Sequence, residues 1–159
     1  MRPSSSCLIT ATTPMAIVDL ELAFNQARAY SIKELWTSHQ CSGTLSISTN
    51  AMEASIINII LDFAFIASYT WFFIVLVALT QANDPLAIDK ITLLGCYAAL
   101  AAGMLDVIEN IFMLIFLIVG EINSLLFAVP ATIKFVTIVL LASLIVMRLF
   151  VRLFKSGAN

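Results

Sequence analysis

The sequence predicts an all-α integral membrane protein: a helical bundle of three transmembrane helices with an amphipathic helix at its N-terminus. Two observations carry this. Of 159 residues, 61% are hydrophobic and 11% charged, whereas soluble globular domains have about 45–50% apolar and about 25% charged residues. The apolar excess falls after residue 52, in runs long enough to cross a bilayer, which takes about 20 residues. The net charge of −2 and the lack of any basic run point away from nucleic acid as a partner, and the apolar runs point to membrane lipids.

Residues 1–14, MRPSSSCLITATTP, are rich in Ser and Thr and lack an apolar core of signal-peptide length. They read as a disordered tail before a single membrane domain, 15–155. Met15 follows directly and is a second candidate start. Residues 15–38 read as one helix, with Pro14 suited to its start. Ile17, Leu20, Phe24 and Leu35 recur near helical spacing, and Asp19, Glu21, Asn25, Arg28, Lys33 and Glu34 supply a polar face. So many charges argue against a span. The expectation is a helix lying on the membrane or capping the bundle, with Trp36 as an interfacial anchor and Glu21 on a solvated face. Residues 39–50 read as a polar connection with His39 exposed.

The membrane helices are expected at about 53–80, 91–119 and 123–150, with tilt taking up the extra length. Short linkers make neighbours antiparallel. Arg148, Arg152 and Lys155 end the third helix, and Lys90 sits in the 81–90 linker. The positive-inside rule therefore places the C-terminus in the cytoplasm and the N-terminal helix outside a cell (inner) membrane, crossed several times. Cys7, Cys41 and Cys96 are widely spaced and odd in number, and the chain has one His. No zinc or haem pattern can be built from them, so neither metal nor cofactor is expected. Cys96 reads as a small packing residue.

Polar residues run in stripes along the apolar helices. Ser55, Asn58, Asp62 and Tyr69 share a face of the first. Asp106, Glu109 and Asn110, at i, i+3 and i+4, share a side of the second. Asn123, Pro130, Lys134 and Thr137 line up on the third. Ionisable groups at membrane depth cost about 2.5–3.5 kcal/mol each on insertion scales, so they face the bundle interior. At 1.5 Å rise per residue, Asp62, Glu109 and Lys134 arrive at a similar level, bracketed by Asp106 and Asn110. Lys134 is the one deep cation and is the expected partner of Asp62, Asp106 or Glu109. The carboxyl excess demands a proton, a cation or further donors. Gly95, Ala99 and Gly103, at four-residue spacing, form a seam where another backbone approaches closely. Pro130 removes a hydrogen bond near Lys134.

The succession VDLELAF, LDFAFIASY at 61–69, AAGMLDVIEN at 101–110 and IKF at 133–135 resembles a family of small, uncharacterised bacterial multi-spanning membrane proteins. The resemblance covers most of the chain from Met15 onward. It implies a shared helix pattern and carries no reaction. A looser, fold-level analogy is to four-helix sterol-isomerase-like membrane proteins.

Three functions compete. The polar centre of Asp62, Tyr69, Asp106, Glu109, Asn110 and Lys134 binds a lipid-like or other amphipathic molecule. Alternatively, it only packs the helices of a structural or accessory subunit, with a homo-oligomer or larger membrane partner. In the third, an oligomer transports ions or protons. No nucleophile with an activating His and no phosphate loop indicates an enzyme.

Overall fold

The computed structural model of the chain describes residues 5–41, 50–80 and 90–156. The linker at 81–89 and most of the polar connection, 42–49, lie outside the described residues. Six helices follow in order: α1 (Ser5–Leu8), α2 (Ile17–Glu21), α3 (Gln26–Ser38), α4 (Ala51–Leu79), α5 (Lys90–Ile118) and α6 (Leu125–Ser156). The last three are long and apolar enough to cross a membrane, and the protein is a multi-pass helical bundle.

Local chemistry sets the boundaries. Asn50 is extended and its side chain accepts from the Glu53 amide at 2.8 Å, so α4 starts at Ala51. Gly120, at φ 86°, provides the left-handed residue that ends α5. Helix α5 is central, packed between α4 and α6. Helices α1 and α3 rest on α4, and α2 rests on α6. Together α1–α3 form a cap over one end of the bundle.

The cap departs from the sequence reading in three ways and adds one bond on which that reading is silent. The expected helix over 15–38 is two helices, because Asn25 turns extended and its side chain accepts from the Ala27 amide at 2.8 Å, starting α3 afresh. Trp36 is not an interfacial anchor. It is fully buried, in a core with Leu20, Phe116 and Phe127. The stretch 5–14, expected to belong to a disordered tail, is anchored at Leu8 and Thr13, both fully buried. The Leu8 carbonyl accepts from the Thr13 hydroxyl at 2.7 Å. Finally, Cys7 and Cys41 form a disulfide, leaving Cys96 free.

Helix α3 grips the turn between α5 and α6 mainly through its backbone. The Gln26 amide group donates to the Ile122 carbonyl at 2.8 Å, and its oxygen accepts from the Ser124 amide at 2.5 Å. Tyr30 donates to the Gly120 carbonyl. Lys33 donates to the Phe116 carbonyl at 3.0 Å, placing a cation at the negative end of α5.

Candidate functional site

The polar centre lies just beneath the cap. Helix α5, flanked on both sides, turns Asp106, Glu109 and Asn110 inward, and all three are buried. Lys134 comes from α6, one turn past Pro130, and is also buried. Its ammonium lies 2.8 Å from Asp106 Oδ1, 2.7 Å from Glu109 Oε2 and 3.9 Å from Glu21 Oε2. The second Asp106 oxygen accepts from the Tyr69 hydroxyl of α4 at 2.8 Å. Asn110 donates to Asp62 Oδ2 at 2.8 Å, a second tie between α5 and α4.

These contacts differ in kind. The bond from Lys134 to Asp106 is a directed, charge-assisted hydrogen bond. The approach of Lys134 to Glu109 is as close but lies off the hydrogen-bonding direction. Neither Glu109 oxygen has a directed partner, although its side chain is fully buried. That contact is Coulombic.

All six residues expected in the polar centre are therefore placed together, through α4, α5 and α6. Lys134 takes Asp106 and Glu109, while Asp62 accepts from Asn110. Glu21 corrects the sequence reading. It is 8% exposed, not solvated, because α2 docks on α6. Burial pushes its carboxyl up from 4.5 to about 6. The Lys134 ammonium opposes the shift, and the Asp106 and Asp62 charges add to it. A sequence signal existed: in IVDLEL, acidic and apolar residues alternate, which does not fit a helix with one wet face. Asp19 is buried too. It accepts from the Met15 amide at 2.7 Å and pairs with Arg28 at 3.2 Å.

The small-residue seam lies away from the cap, and side chains of α4 and α6, rather than another backbone, fill the space beside its glycines. A Cβ on Gly95 would meet Val77 at 2.8 Å, and one on Gly103 would meet the Thr70 hydroxyl. Ala99 is buried between them. The Thr70 oxygen has no conventional partner. It occupies the space that a Cβ on Gly103 would need.

An open apolar cleft of about 470 Å³ lies between α4 and α5, lined by Thr70, Trp71, Gly103, Met104, Val107 and neighbours. None of the polar-centre residues lines it. Among the described residues, no group of three or more His, Cys, Asp or Glu is arranged to hold a metal ion. The side chains gathered here can hold helices together by charge and exchange a proton. No protein-family model, curated protein or solved structure matches the chain.

Proposed function

We propose that the protein is a structural or accessory membrane subunit whose polar centre clamps the cap onto the three spans. The observation that carries this reading is Lys134. It is buried and touched by carboxylates from both the cap and the bundle, at a junction that the apolar cleft does not reach. A site for a polar headgroup would leave some of these atoms facing open space.

The orientation forms part of the proposal. The cap faces outside a cell membrane and the end of α6 faces the cytoplasm. Arg148, Arg152 and Lys155 support this by the positive-inside rule. The cap disulfide supports it independently, since disulfides persist in oxidising compartments.

Lys134→Met, alone and combined with Asp106→Asn and Glu109→Gln, tests the clamp. The single change strands buried carboxylates, whereas the triple change also neutralises the two that lie closest to Lys134 and recovers part of the lost stability. Unfolding in detergent reads both. A second reading, a lipid-like ligand, is favoured by the cleft, whose Gly103 and Thr70 lie within one turn of Asp106 and Tyr69. Native mass spectrometry decides between them. A lipid-like molecule that co-purifies with the wild type and is lost from a well-folded triple variant overturns the clamp.

A further inference from the structure

We infer that the carboxyls of Glu21 and Glu109 form a proton-binding site that latches the cap to the spans. The inference rests on the clamp reading and adds its ligand. Glu21 comes from α2 and Glu109 from α5, and both converge on the Lys134 ammonium. Glu109 is fully buried with no directed hydrogen bond to either oxygen. A bare carboxylate in that position is costly. One proton between the two carboxyls supplies the missing donor and turns a repulsive pair into a hydrogen bond.

The surroundings leave that role to a proton. From α6, Lys134 is a single positive charge, and it already donates to Asp106. From α5, Asp106 adds negative charge, as does Asp62 from α4, and both reach Glu21 electrostatically. Tyr69 is engaged with Asp106. On the cap, Arg28 pairs with Asp19 and Lys33 is held by the Phe116 carbonyl. Glu21 is carried by α2, five residues set between a turn at 14–16 and a break in the helix at 22–25. Through it the site exchanges its proton with water at the cap surface.

The direction with pH follows from linkage. The Glu21 carboxyl ordinarily titrates at 4.5 and in the docked cap at about 6. Between these values the docked form holds more protons than the undocked form. Docking is therefore strongest below pH 4.5 and weakens as pH rises through about 6. The Glu21 carboxyl alone contributes about a thirtyfold change in the docking equilibrium.

The test uses the full chain in lipid nanodiscs. Infrared spectra between pH 4.5 and 7.5 follow the carboxylic-acid C=O band. Hydrogen exchange over residues 17–38, corrected for the intrinsic rate, follows docking. The expected result is a band lost with a midpoint near 6, together with weaker cap protection above it. Both pH effects should disappear in Glu21→Gln. A wild-type cap whose protection does not change with pH overturns the inference, as does a band near 6 that survives in Glu21→Gln. Because the wild-type measurement needs no variant, a poorly folding Glu21→Gln does not block the decision. If protection is flat with pH while Lys134→Met still destabilises, the latch fails and the clamp stands. If Lys134→Met has no effect, the clamp itself fails.

Discussion

The two ends of the bundle are held by different physics. At the cap end, charged and polar side chains from α2, α4, α5 and α6 meet around Lys134, and a disulfide closes the chain above them. At the other end, Gly95 meets Val77 and Leu141, and Val77, Ala99, Leu141 and Ile145 form a small apolar core. Among the described residues, a hydrogen bond from Arg148 to Thr92 at 2.8 Å also ties α6 to α5 there. Lipid offers no hydrophobic drive between helices, so each end needs its own source of attraction. Charge works over several ångströms and tolerates a moving cap. Close packing works only at contact and suits helices that stay in place.

The comparison can be broken hardest at Lys134. Lys134→Met should cost about 3–5 kcal/mol, because it leaves buried carboxylates without their cation. Denaturation in mixed detergent micelles measures this, and hydrogen exchange should show the loss at the cap end first. Removing the disulfide comes next. Cys7→Ser should cost about 3 kcal/mol by freeing the loop between the paired cysteines. Limited proteolysis should cut the cap while the three spans stay protected.

The other end is probed by Gly95→Ala. The new methyl would meet Val77 at 2.8 Å, and overpacking of this kind costs about 1–3 kcal/mol. Its signature is loosened exchange near Gly95 with the cap undisturbed, the reverse of the Lys134 variant. The smallest effect is expected from Tyr69→Phe, about 1 kcal/mol for one hydrogen bond to Asp106. Thermal unfolding compared with the wild type reads it. A loss as large at Tyr69 as at Lys134 would mean that the cluster acts as one cooperative network.

The spans and most of the polar centre could be read from the sequence. An apolar run of about 20 residues has few soluble alternatives. Polar residues at i, i+3 and i+4 inside such a run must share a face, and that face must turn inward. At 1.5 Å rise per residue Asp62, Glu109 and Lys134 fall at one level, bracketed by Asp106 and Asn110, but that spacing does not reveal that Asp62 accepts from Asn110. The cap was harder. Its helix period was averaged across a break at 22–25 that one capping side chain decides. Glu21 and Trp36 are polar or amphipathic by type, and only docking onto α4 and α6 buries them. The pairing of Cys7 with Cys41, 34 residues apart, leaves no local trace, and an odd count of cysteines does not say which one stays free.

The grip of α3 on the turn after α5 sets which changes that turn can absorb. Its anchor points are the Phe116, Gly120 and Ile122 carbonyls and the Ser124 amide, all main-chain atoms. A different letter at exposed Glu121 moves none of them. One inserted residue displaces the later anchors, Ile122 and Ser124, from Gln26. The spacing of this stretch is therefore constrained while its spelling at Glu121 is free to drift, since the cap is fitted to the path of the chain.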